Sequence, residues 1–149
     1  KTEERASDKK ERHMFPDSKR IIVRRDLREL AAMRDEVSDF LGSRSLPLQS
    51  ASRAVLAVDE AVSNIIIHNN SDPSLPPIEV ELSFAVDRVE VRIRDAGKMF
   101  DPCTKSLAGF RAGAARGLGL HLIHRAMDEV NYRFHCGRYN ELKLVKYAG

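Results

Sequence analysis

The chain has 149 residues, with a hydrophobic fraction of 42% and a charged fraction of 32%, as expected for one soluble globular domain with a real core. No apolar run approaches the length of a membrane span and no signal-peptide pattern opens the chain, so we expect neither a membrane nor a secreted protein. The net charge is +3, and residues 1–20 account for a surplus of two, which leaves the remainder nearly neutral. Such a charge argues against direct nucleic-acid binding.

The first 18 residues differ from the rest in composition. Residues 1–18 are charge-dense and lack apolar periodicity, so we predict a disordered or linker segment followed by one folded domain over residues 19–149. Because the chain begins with Lys1 instead of Met, we expect a fragment or a processed product of a longer protein. Cys103 and Cys136 have no partner at metal-ligand spacing, and reduced thiols in a cytoplasmic protein are favoured over a disulfide.

The remaining chain alternates between strand-like and helix-like patterns. In chain order we expect a strand at 20–24, helices after Asp26 and over 49–69, a hairpin of strands 78–82 and 89–93, a helix over 117–128, and strands at 131–135 and 142–147. Residues 101–115 are rich in Gly, Ala and Ser and are expected to form a mobile loop. This order predicts an α+β fold, a two-layer α/β sandwich whose mostly antiparallel sheet is covered on one face by about three helices.

Two polar residues stand out within the second predicted helix. Glu60 and Asn64 lie four residues apart and therefore share one face of that helix. Asn is a poor helix former, and three isoleucines follow it, which makes accidental exposure a weak explanation. An amide oxygen suits Mg²⁺, and a carboxylate one turn away could act as a general base beside a phosphate. The alternative interpretation is a solvated Asn and a plain surface carboxylate.

Two further segments complete the pattern of a nucleotide triphosphate site. Asp95 ends an alternating run and is followed by Gly97, and its carboxylate could serve as a hydrogen-bond acceptor for a purine. Gly117 and Gly119 open a helix, where backbone N–H groups can bind a phosphate. Taken singly, these features are equally consistent with a turn aspartate and an ordinary helix start. Their fixed order makes the nucleotide interpretation the stronger one.

These segments resemble the sequence boxes of the GHKL-type ATPases, and within them the bacterial anti-sigma-factor serine/threonine kinases. The resemblance extends from residue 21 to the C-terminus. Residues 58–64 (VDEAVSN) resemble the N-box, and residues 95–102 (DAGKMFDP) resemble the G1 box. Residues 117–123 (GLGLHLI), together with 127–130 (MDEV), resemble the G2 box and the strand entry behind it. The resemblance implies the GHKL (Bergerat) type of sandwich, with ATP and Mg²⁺ as cofactors.

The resemblance also implies a role for each residue of the boxes. It assigns Glu60 and Arg116 to catalysis, Asn64 to Mg²⁺, and Asp95, Gly97, Gly117, Leu118 and Gly119, together with Asn64, to nucleotide binding. Asp95 would accept a hydrogen bond from the adenine amino group. On this basis the substitution Asp95→Asn is expected to weaken adenine-nucleotide binding far more than it affects folding.

The function implied by the resemblance is that of an Mg-ATP-dependent serine/threonine protein kinase that acts as an anti-sigma factor. Its partners would be a small anti-sigma-factor antagonist, which it phosphorylates, and a sigma factor, which it sequesters. The sequence does not decide whether the chain also forms a homodimer. One alternative is a nucleotide-gated partner-binding module with little or no kinase activity. Another is the ATPase-like module of a longer regulatory protein. The presence of Glu60 favours the kinase, because a pure binding module would not need a general base.

Overall fold

The computed structural model describes residues 17–44, 46–68, 74–96, 117–135 and 138–148. Its elements, in chain order, are β1 (Asp17–Val23), a 3-10 turn (Leu27–Glu29), α1 (Leu30–Gly42), α2 (Leu48–His68), β2 (Ile78–Phe84), β3 (Arg88–Asp95), α3 (Gly117–Ala126), β4 (Glu129–His135) and β5 (Tyr139–Tyr147). The helices and strands predicted from the sequence are all present, with boundaries shifted by a few residues. The expected mobile loop at 101–115 lies outside the described residues, as does the predicted linker up to residue 16.

The five strands form one antiparallel sheet with the order β1-β2-β3-β5-β4. β2, β3 and β5 lie inside the sheet, and each pairs on both sides. Ile93 of β3, for example, is opposite Val80 of β2 and Leu142 of β5. The predicted α+β fold is confirmed. The final strand, β5, lies between β4, with which it forms a hairpin, and β3 of the β2–β3 hairpin.

One face of the sheet is apolar and packs against the helices. Residues facing the helices alternate with polar ones, as the period of two along a strand requires. This core includes Ile21, Val23, Ile78, Val80, Leu82, Val91, Ile93 and Leu144. On α2, Val58, Val62 and Ile66 recur every four residues and are fully buried. Each such side chain stabilises the fold by about 1.5–3 kcal/mol, so this face of α2 is committed to the core.

The opposite face of the sheet is covered with paired charges. Arg94 on β3 lies among three carboxylates, with N–O distances of 3.0 Å to Glu79, 3.6 Å to Glu81 and 2.9 Å to Glu141. Burial disfavours the charged guanidinium, but the hydrogen bond to Glu141 and the neighbouring negative charges outweigh it and raise the pKa of Arg94. The charges on this face satisfy one another, and the helices lie on the other face.

The chain enters α1 through a 3-10 turn that Asp26 caps. The Asp26 carboxylate accepts a hydrogen bond from the backbone N–H of Arg28 at 2.9 Å. The side-chain and backbone hydrogen bonds from Arg28 lower the pKa of Asp26. The first turn is 3-10 in form, and α1 proper begins at Leu30. Within the described residues, none of the helices combines the length and apolarity needed to cross a bilayer.

Candidate functional site

Glu60 and Asn64 lie one turn apart on α2, and both side chains are half-buried. They lie off the face that Val58, Val62 and Ile66 commit to the core. Neither side chain bonds to any other residue in the described part of the chain. Both groups are exposed enough to bond to water, so they are also accessible to a ligand.

Asp59, the residue next to Glu60, connects two helices through an ion pair. Arg34 on α1 donates a hydrogen bond to Asp59 at 3.0 Å, and the two form an ion pair that joins α1 to α2. Of two adjacent carboxylates, Asp59 is therefore used in packing the helices together. The Glu60 side chain has no such partner among the described residues.

α2 contacts both of the other elements that carry predicted site residues. It packs against β3, whose last residue is Asp95, and against α3, which begins at Gly117. Gly117, Leu118 and Gly119 form the first turn of α3, where the leading backbone N–H groups have no partner within the helix. A helix N-terminus of this kind favours a bound phosphate. Gly97 and Arg116 lie outside the described residues, and the roles of all these residues stay predictions.

Asp95 does not stand alone at the end of β3. It is only 4% exposed, and its carboxylate accepts a hydrogen bond from Nη2 of Arg25 in a buried ion pair. Arg25 lies two residues after the end of β1 and also donates from Nε to the backbone carbonyl of Pro76 at 2.8 Å. The loop before β2, the end of β1 and the end of β3 are thereby joined at one point.

Arg25 belongs to none of the three sequence boxes, although the sequence carries a signal for its burial. Ile21 and Val23 are buried at alternate positions of β1, and continuing that alternation by two residues places Arg25 on the same inward side. A charged residue in phase with a buried strand face needs a partner of opposite charge. Its partner, Asp95, lies 70 residues further along the chain.

The ion pair changes the expected effect of Asp95→Asn. The sequence alone predicts a small effect on folding, but the substitution leaves the buried guanidinium of Arg25 without its carboxylate. We now expect the free energy of unfolding to fall by about 3 kcal/mol, the low end for breaking a buried pair. Urea unfolding followed by circular dichroism measures it. Asp39→Asn, on the exposed side of α1, is the matched control and should change stability by less than about 0.5 kcal/mol. Equal stabilities would show that the pair contributes little.

The donor set fits one class of metal better than others. No group of three or more His, Cys, Asp and Glu side chains occurs among the residues that the structure describes. A single amide oxygen from Asn64 suits Mg²⁺, which binds one or two protein oxygens and completes its shell with phosphates and water. The residues present therefore fit a magnesium ion bound together with a nucleotide.

Comparison with known proteins identifies the family of this chain. Residues 23–146 match the family described as the histidine kinase-like ATPase domain. The serine-protein kinase RsbW of Bacillus velezensis is 32% identical over 91 residues, which cover 55% of this chain and 56% of that protein. The chain thus matches a little over half the length of this curated relative.

Two crystal structures share the fold. The SiaB–SiaC complex from Pseudomonas aeruginosa contains a chain with a TM-score of 0.68 and 14% identity, covering 97% of this chain and 98% of that one. The RsbU and RsbW domains of a Mycobacterium tuberculosis protein give a TM-score of 0.66 and 15% identity, covering 87% of this chain and 32% of that one. At these identities the likeness concerns the fold alone.

The family match begins at the last residue of β1 and ends within β5, so it covers strands β2 to β5 and every helix described above. The resemblance to GHKL-type ATPases is confirmed at the level of the histidine kinase-like ATPase domain. Since both the sequence match and the five-stranded fold point the same way, the chain belongs to the family of histidine kinase-like ATPase domains.

Proposed function

We propose that this chain binds Mg·ATP and transfers the terminal phosphoryl group to a Ser or Thr hydroxyl of a small anti-sigma-factor antagonist. In the same proposal it acts as an anti-sigma factor by sequestering a sigma factor. The observation that carries the catalytic part is the pair Glu60 and Asn64, half-buried and without partners among the described residues, on a helix that contacts both β3 and α3. The relative named as a serine-protein kinase supports the reaction class.

Glu60 is the general base of the proposed reaction. Phosphoryl transfer to a hydroxyl needs a group that orients the hydroxyl and accepts its proton as the new O–P bond forms. Glu60 suits this task because its carboxylate has no partner among the described residues, whereas Asp59 is engaged by Arg34. The proton of the attacking hydroxyl passes to the Glu60 carboxylate. The bond between the γ-phosphorus and the bridging oxygen of ATP breaks, and ADP leaves.

The remaining groups bind and neutralise the phosphates. Asn64 would hold Mg²⁺ through its amide oxygen, and the ion, when bound, neutralises negative charge on the phosphates. The N-terminal turn of α3, from Gly117 to Gly119, is proposed to donate hydrogen bonds from its backbone N–H groups to a phosphate. Arg116 precedes this turn and is proposed to contact the terminal phosphate. Asp95 is proposed to accept the adenine amino group.

A transfer assay tests the proposal directly. The full chain is incubated with Mg²⁺, ATP labelled in the γ-phosphate and candidate anti-sigma-factor antagonists encoded in the source genome. We expect label to appear on a Ser or Thr of one antagonist and to depend on Mg²⁺. Replacing Mg²⁺ with a chelator provides the control.

The alternatives give different results in the same experiment. A nucleotide-gated binding module would bind ATP, and a partner in pull-down, without transferring label. Failure of the chain to bind ATP at all would overturn the proposal. The sigma factor is tested separately by co-purification with and without nucleotide, and a homodimer by sedimentation.

A further inference from the structure

Two of the three nitrogens of the Arg25 guanidinium donate hydrogen bonds. Nε donates to the Pro76 carbonyl at 2.8 Å, and Nη2 donates to the Asp95 carboxylate. The third nitrogen, Nη1, is buried and has no hydrogen-bond partner among the residues that the structure describes. Arg25 as a whole is only 7% exposed.

A buried donor of this kind requires an acceptor. A guanidinium stays protonated in proteins, so the N–H groups of Nη1 cannot be removed by a change of charge. Leaving them without an acceptor is unfavourable, more so because the group is charged. The acceptor has to lie beside Asp95, because the planar guanidinium keeps Nη1 and Nη2 in one fixed fork.

We infer that Arg25 is a base-selecting residue of the nucleotide site and that Nη1 donates a hydrogen bond to the N1 ring nitrogen of adenine. This inference rests on the proposed function, since it places the adenine edge against Asp95. A carboxylate has about four lone-pair sites, so Asp95 can accept from both Arg25 and an adenine amino group. The buried pair then presents an acceptor and a donor side by side.

That arrangement matches the edge of adenine, on which the N6 amino donor is adjacent to the N1 acceptor. Guanine has the opposite order on the same edge, because O6 accepts and N1–H donates. Since the Pro76 carbonyl and the hydrogen bond to Asp95 hold the guanidinium in place, donor and acceptor cannot readily exchange positions. The inference therefore predicts selection of adenine through two contacts, one from each residue.

The test compares the binding of ATP, 1-deaza-ATP and GTP to the wild-type chain and to Arg25→Lys by calorimetry with Mg²⁺ present. In 1-deaza-ATP a C–H replaces N1, so only the proposed acceptor is lost. We expect the wild-type chain to bind ATP about 5- to 100-fold more tightly than 1-deaza-ATP. Arg25→Lys keeps a positive charge for Asp95 but has no second fork nitrogen, so it should bind the two nucleotides within about twofold of each other.

The control is Arg24→Lys, the same substitution at the neighbouring, exposed arginine, which should keep the wild-type preference. Equal affinity of the wild-type chain for ATP and 1-deaza-ATP would overturn the inference. A preference that persists in Arg25→Lys, or tighter binding of GTP than ATP, would do so as well. The wild-type comparison decides the question even if Arg25→Lys does not fold. Absence of any ATP binding would overturn the proposed function, and this inference with it.

Discussion

Asn64→Ala is expected to abolish the magnesium-dependent part of ATP binding while leaving the fold intact. The amide oxygen of Asn64 is the proposed protein ligand of Mg²⁺, and alanine removes it without disturbing the buried face formed by Val58, Val62 and Ile66. Loss of an outer-shell partner of a metal already costs roughly 10- to 100-fold in affinity, and loss of a direct ligand should cost more. Alanine is also the best helix former, so stability should change little.

Calorimetry with and without Mg²⁺ separates the two effects. The variant with Mg²⁺ should bind ATP no more tightly than the wild-type chain does in a chelator. Asn131→Ala is the matched control, because Asn131 is exposed on β4, away from α2. An unchanged affinity for Mg·ATP in Asn64→Ala would show that Asn64 is not the metal ligand.

Glu60→Gln is expected to separate chemistry from binding. The carboxamide keeps the size and shape of the carboxylate but cannot accept the proton of the attacking hydroxyl. The affinity for ATP should therefore stay within a few fold of the wild-type value. Phosphoryl transfer to the antagonist should fall by roughly 10²–10⁴, the usual contribution of a positioned general base.

Single-turnover transfer of labelled phosphate measures this effect without interference from product release. Glu36→Gln on the exposed side of α1 serves as the control and should transfer at the wild-type rate. If Glu60→Gln also transfers at that rate, Glu60 is not the base. The partner-binding module without kinase activity would then become the better interpretation.

The elements of this fold are predictable from local patterns. Alternation of apolar and charged residues identifies the β2–β3 hairpin, and a period near 3.6 identifies α2. Once α2 is predicted, Glu60 and Asn64 must share a face, because residues four apart on a helix always do. The glycine-led start of α3 follows in the same way. These features depend on neighbours in the sequence, which is why the sequence alone predicts them.

The order of strands depends on contacts that local patterns do not contain. Backbone hydrogen bonds are alike for any pair of strands, so the alternating pattern of β5 does not say which strands it joins. In the structure β5 lies between β3 and β4, where Leu144 faces the helices and Glu141 meets Arg94 on the other side. Only the combined packing of both faces selects that position.

The same reasoning separates the parts of the site. The sequence by itself determined the three boxes, their order and the shared face of Glu60 and Asn64. The tertiary structure decided that Arg34 engages Asp59, leaving Glu60 available, and that Arg25 is buried against Asp95. These pairings join residues 25 and 70 positions apart. A charge buried by folding takes whichever opposite charge the fold brings beside it, and that proximity exists only after the helices and the sheet have packed.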